Sequence, residues 1–292
     1  MLSCDDLTAA LDYYTGELGF RLDVISPADA PRVAQMSGHG IQVRLEQDAS
    51  ANANERGAGR AGMQYRDLIP DRMGGRYIAS NIRIEEAGPV PDYVHHHHVR
   101  FQMIYCSKGW VKVVYEDQGP PFVLQAGDCV LQPPHIRHRV LECSAGMEVV
   151  EVSGPAEHET FVDHDMTLPL ASVAADRSFD GQRFVRHQAA LAAWLPGPYA
   201  AFEYRDTGIA DATDGLASAI VVRPLDTDVS TTLQNDGELF FLFVLQGEAK
   251  LQGESSTEQM AAGDSCVLQE GEQKMLSACA DKLEFLLVTT QA

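Results

Sequence analysis

The segment Pro91–Gln102 places four consecutive histidines, His95, His96, His97 and His98, and the amide of Gln102 in one short stretch. Imidazole is a good neutral ligand for zinc, iron, nickel or copper, and an amide oxygen can add one weaker neutral position. The run lies mid-chain between apolar segments, whereas an affinity tag is normally terminal and longer. A second group follows at His135 and His138, just beyond Pro133-Pro134. These residue types, so grouped, predict a site for a divalent metal ion.

Strands must position them. Gly127-Asp128 is a tight-turn pair, Cys129 to Gln132 a short strand, and Pro133-Pro134 ends it ahead of a strand with His138 near its start. Phe101 to Cys106 is strand-like, as are Ile82 to Ile84, Gly109 to Tyr115, Pro121 to Leu124 and Met147 to Val152. Short, closely spaced strands favour a sandwich or barrel over alternating strands and helices. An antiparallel barrel can collect a ligand pair from an early hairpin and a third ligand from a later one. Side chains two apart on a strand share a face, so either His95 with His97 or His96 with His98 points inward.

The two histidine segments resemble the motifs of the cupins, small antiparallel barrels of jelly-roll type. The first motif is Gly, His-x-His, three or four residues, Glu, six residues, Gly; here Gln102 stands in the Glu position before Gly109. The second is Gly, five residues, Pro-x-Gly, two residues, His; Gly127, Pro133 and His138 fit it, and His135 replaces its inner Gly. Relatives with Tyr-Val-His-x-His select His95 and His97. The resemblance thus implies metal ligation by His95, His97, Gln102 and His138, with one divalent ion per chain, iron, nickel or zinc. Gln in place of Glu leaves a neutral ligand set, which weakens affinity or shifts the metal's chemistry.

The pattern repeats. Glu238 to Gly247 parallels Phe101 to Gly109, and Ala262 to Gln269 parallels Ala126 to Gln132. At the ligand positions the second copy carries Gln234, Asp236, Phe240 and Lys274, with Gln269 for Pro133. Phe and Lys cannot replace metal ligands, so this copy is expected to be metal-free. The resemblance therefore implies an all-β, double-stranded β-helix (jelly-roll) bicupin, with barrels over 66–165 and 166–292.

Residues 1–48 form a different segment. Leu7, Ala10, Leu11 and Tyr14 share a helix face within Asp5 to Glu17, capped by Asp5 or Asp6, and strands follow at 19–24 and 40–45. Tyr13 to Phe20 resembles the start of the glyoxalase-like (vicinal-oxygen-chelate) module, but that module's first strand and first-strand ligand are missing. A packing or dimerising α+β appendage is the expectation. Residues 49–65 are assigned as a linker, clearest at Ala49 to Gly59.

A formal charge of −20 argues against nucleic acid and anionic membranes as partners. No long apolar run or signal-peptide pattern is present, and the six cysteines mostly lie in strand-like runs, where buried thiols are the default; a cytoplasmic protein is expected. Cys106 is expected as a core thiol. Arg100, Arg137 and Arg139 either hold a substrate carboxylate or pair with acidic residues. His135 is a proton-transfer group or a solvated turn residue, and Glu148 or Glu151 a candidate to orient a ligand histidine. A helix is expected over Ala189 to Leu195. The partner implied is a small organic molecule, with a homodimer possible. Three functions follow: a metal-dependent dioxygenase, a metal-dependent isomerase or lyase, or a non-catalytic small-molecule-binding barrel.

Overall fold

The computed structural model describes residues 2–28, 31–47, 57–58, 60–254, 256–278 and 282–291. Almost all regular structure is strand, and the chain forms two compact units. The first comprises Met1–Ala126 and Gln132–Asp180, the second Gly127–Leu131 and Gly181–Ala292.

Two sheets build the first unit. One carries, in order, Leu2–Cys4, Ile41–Gln47, Val33–Gly38, Arg21–Ser26, Thr160–Val162, His95–His97, His138–Cys143, Trp110–Tyr115 and Phe122–Gln125. The other joins Phe101–Lys108, Met147–Gly154, Ile78–Ile84, Gln64–Asp67 and Gly57–Ala58 by antiparallel pairing. Alternation sends Ile104, Val111, Val113, Tyr115 and Val149 toward one shared interior, and Phe101, Met103 and Tyr105 to the other face of their strand, where these three are buried. Of the linker expected at 49–65, residues 49–56 and 59 lie outside the described ones, while Gly57–Ala58 and Gln64–Tyr65 belong to strands of this sheet.

The N-terminal segment continues the barrel sheet. Thr160 pairs with Ile25 and Phe161 with Val24, while Thr160 and Phe161 also pair with His97 and His96 on the other side. The first strand, expected to be missing, is present as Leu2–Cys4 and runs parallel to Leu45–Gln47. Asp6 caps the helix by accepting from Ala9 N at 3.0 Å, and the helical run reaches Glu17 as expected, α over Leu7–Asp12 and π over Tyr13–Glu17. The Thr15 hydroxyl donates to the Leu11 carbonyl at 2.8 Å, competing with the backbone for that acceptor. Leu7, Phe20, Ala34, Met36 and Leu45 bury a small core beneath it.

In the second unit, one sheet includes Leu239–Gln246, Glu284–Thr290, Ala217–Pro224 and Phe202–Asp206, and another includes Ser230–Gln234, Gln273–Ala278, Glu248–Gln252 and Thr257–Ala261. They enclose Leu233, Phe240, Leu242, Val244, Leu251, Leu276 and Phe285. Cys129–Leu131 pairs with Val185–His187. The helix expected at Ala189 to Leu195 is only a 3-10 turn, Ala189–Leu191, because Ala192 is extended. Trp194 lies against the guanidinium groups of Arg205 and Arg223, and Leu195–Pro196 pairs with Glu203 and Tyr204.

Candidate metal centre

In the strand His95–His97 the first and third imidazoles face the interior and the second faces the other side. His95 and His97 are 0% and 6% exposed, and His138, opposite His95 in the antiparallel pairing, is 6% exposed. The His95 and His138 rings lie 4.2 Å apart, and that of His97 is 5.2 Å from His95 and 5.3 Å from His138. One ligand nitrogen from each lies within 4.8 Å of the others.

Each ring is held through Nδ1. His95 Nδ1 donates to the Tyr93 carbonyl at 2.8 Å, with Asp92 Oδ1 at 3.7 Å. His138 Nδ1 donates to the Ile136 carbonyl at 3.0 Å, and Thr160 Oγ1 is 3.1 Å from His97 Nδ1. A carbonyl only accepts, so His95 and His138 carry the proton on Nδ1 and the lone pair on Nε2. That is the tautomer a metal-binding imidazole needs. Asp92 also accepts from Val140 N at 2.9 Å, tying the residues before the histidine run to the His138 strand.

A chain of amides adjoins the triad. Tyr115 OH donates to Gln132 Oε1 at 2.5 Å, and Gln132 Nε2 donates to Gln102 Oε1 at 3.0 Å and lies 3.4 Å from His138 Nε2. Gln102 Nε2 donates to Glu151 Oε1 at 3.2 Å. Burial, and after it the Glu151 carboxylate, raises the Tyr115 pKa, so the phenol keeps its proton. Gln102 is therefore buried beside the histidines with its oxygen engaged by Gln132, and Gln132 is the amide that reaches His138.

His95, His97, His138, Gln132, Tyr115 and Glu151 line one partly open cavity of about 70 Å³, whose other walls are mainly apolar, among them Ile104, Val111, Leu124, Val140 and Val149. Glu151 lines the cavity with the histidines and accepts from Gln102 Nε2. Glu148 faces Arg83, Lys108 and Asn81, and the orienting groups are instead Tyr93 O, Asp92, Thr160 and Ile136 O. Thr160 comes from a strand distant in sequence, which no local pattern announces. Tyr115 was accessible to alternation, since it follows Val111 and Val113 on the same strand face. Cys106 is buried with its thiol toward the Lys108 and Gly109 carbonyls. Arg137 donates to Asp163 and lies near Glu116, which takes up its charge, and Arg100 donates to Tyr77 OH at 3.5 Å.

His96, His98 and His135 gather on the opposite face of the strand. Burial above all, and then Arg137, lowers the His96 pKa to about 4; burial and then His135 lower that of His98.

By sequence, no protein-family model matches the chain, and no curated protein does. By structure it is similar to a deletion mutant of oxalate decarboxylase from Bacillus subtilis, at 12% identity and a TM-score of 0.59 over 84% of this chain and 79% of that one. A structure of the same enzyme concerned with its Mn(II) centres matches at 13% identity and a TM-score of 0.57 over the same shares. The Ylba protein from E. coli matches at 10% identity and a TM-score of 0.55, over 82% of this chain and 87% of that one. The chain has the all-β bicupin fold. Among the described residues no helix is long and apolar enough to cross a membrane.

Proposed function

We propose that the first barrel holds one divalent metal ion on His95, His97 and His138, and that the protein is a metal-dependent enzyme acting on a small organic substrate, in first place a dioxygenase. The observation that carries this reading is the buried triad, its rings held from behind at Nδ1, at the polar end of an otherwise apolar cavity. Gln102 joins the set only by giving up the bond its oxygen accepts from Gln132, which makes it a weak, exchangeable fourth position. An ion held here supplies Lewis acidity, and iron in particular supplies the one-electron chemistry that adding dioxygen to an organic molecule requires.

The chain's own groups do the rest. Ile104, Val111, Leu124, Val140 and Val149 exclude water and receive an apolar substrate body. Tyr115, by donating to Gln132 Oε1, turns the Gln132 amide hydrogens toward Gln102 and His138 and keeps that end of the cavity oriented.

Glu151 favours a second reading. A carboxylate lining the same cavity can take up or return a proton on a substrate, as isomerase or lyase chemistry, decarboxylation included, requires. The test is turnover of the iron, manganese and zinc forms across a panel of small carboxylates, diketones and aromatics, with and without oxygen. A dioxygenase consumes oxygen with substrate in the iron form, loses activity in His95→Ala/His97→Ala, and falls at most about tenfold in Glu151→Gln. Turnover that persists without oxygen and falls by about 10²-fold or more in Glu151→Gln establishes the second reading. Absence of turnover in every form sinks both.

A further inference from the structure

The histidine run has a second face, and the residues there form a separate cluster. His96 and His98 alternate with His95 and His97, so they point away from the cavity. Their rings stack on Phe161 of the neighbouring strand, with centroids 5.2 and 4.1 Å away. The His135 ring lies 4.5 Å from that of His98 and 6.1 Å from that of His96. One nitrogen from each of the three lies within 4.8 Å of the others, a bound the inner triad also meets. His96 Nδ1 is buried and makes no hydrogen bond. Asp180 Oδ2 lies 3.1 Å from His135 Nε2.

The backbone supplies an independent argument. His135 has φ +65°, the left-handed region, at the position where the motif it resembles has glycine. Glycine takes that conformation without strain, whereas an L-residue is strained there. The turn is fixed by two bonds: His135 N–H donates to the His97 carbonyl at 3.1 Å, and Arg137 Nη1 donates to the His135 carbonyl at 3.3 Å. Both use only the backbone of residue 135 and would serve a glycine equally well. What the histidine adds is an imidazole facing His96 and His98.

We propose that His96, His98 and His135 form a second metal site, on the outer face of the strand, for a divalent cation of the zinc, cobalt, nickel or copper type, with the Asp180 carboxylate hydrogen-bonded to the His135 ring. Three neutral imidazoles select such ions over calcium or magnesium, which prefer oxygen ligands. A carboxylate behind a ligating imidazole orients the ring and raises its basicity. His98 is exposed and His135 partly so, which gives an ion access from solvent without passing through the barrel. An ion here links the strand His95–His97 to the turn ahead of His138, the two segments that carry the inner triad.

The decisive variant is His135→Gly, because glycine suits the turn's backbone and removes only the ring. Metal-stripped full-length protein is titrated with Co²⁺ and followed by calorimetry and visible absorption. The wild type is expected to take up about two equivalents, with His135→Gly and His98→Ala each losing one. His95→Ala/His97→Ala is expected to keep the equivalent that His135→Gly removes, and Mg²⁺ is expected not to compete. A wild type whose uptake is unchanged in both His135→Gly and His98→Ala overturns the proposal. If the inner triad fails to bind, a single equivalent still lost in His135→Gly supports the outer site and separates its fate from that of the catalytic reading.

Discussion

Thr160 stands behind His97, fully buried, with its hydroxyl 3.1 Å from Nδ1. Valine has nearly the same shape without the hydroxyl, so Thr160→Val removes the orienting partner while leaving the packing. We expect metal affinity, measured by competition with a chelator, to fall about 10–100-fold; an unchanged affinity would show that His97 needs no support from this side. A different histidine predicts a pH effect. His187 is buried, its Nε2 has no hydrogen-bond partner, and burial together with the nearby Arg205 holds its pKa below the ordinary value. As pH falls below the ordinary value of about 6.5, the unfolded chain takes up this proton first, so stability drops until the lower folded pKa is reached. Urea midpoints at pH 7.5 and 5.5 should therefore lie closer together in His187→Gln than in the wild type; an equal gap would remove His187 as a source. At this scale the inner histidines were legible because ligand chemistry and spacing travel together along the chain. Gln132 was readable only as the end of a strand, and the bond linking Gln102 to Glu151 depends on neighbouring strands coming together in the fold.

Ile25 lies on the strand Arg21–Ser26, between Thr160 on one side and Ala34 on the other, and is 4% exposed. Because Thr160–Val162 also pairs with His95–His97, the N-terminal strands and the histidine strand share one ladder. Ile25→Ala should cost about 2–4 kcal/mol, and loss of strand signal should coincide with release of the inner ion during urea unfolding. An earlier, separate transition that leaves the ion in place would make the segment a detachable appendage. Alternation and turn residues made most barrel strands readable in advance. The N-terminal helix was legible from its apolar face and its cap, whereas the one expected at Ala189 to Leu195 failed for a local reason, since extended Ala192 stops it after one turn. The three-residue strand Leu2–Cys4 is too short for a periodic signal, and its place depends on pairing with Leu45–Gln47.

At the scale of the molecule, the bicupin architecture was legible because Glu238 to Gly247 and Ala262 to Gln269 repeat the earlier pattern. The second copy keeps the apolar alternation and carries other contacts at the corresponding positions. Phe240 fills the core, Lys274 pairs with Glu272, and the Gln234 amide donates to Asp236. The membership of Gly127–Leu131 was not legible, since these residues carry one of the motifs of the first copy and still cluster with the second unit. Their strand pairs with Val185–His187, and Asp128 Oδ1 accepts from Ala189 N at 2.8 Å. A gene severed at codon 180 would encode an upstream polypeptide carrying five residues that cluster with the downstream unit, and a downstream polypeptide in which Val185–His187 lacks its partner strand. For heredity, that makes codon 180 a poor crossover point, since an exchange there parts Cys129–Leu131 from its partner strand Val185–His187.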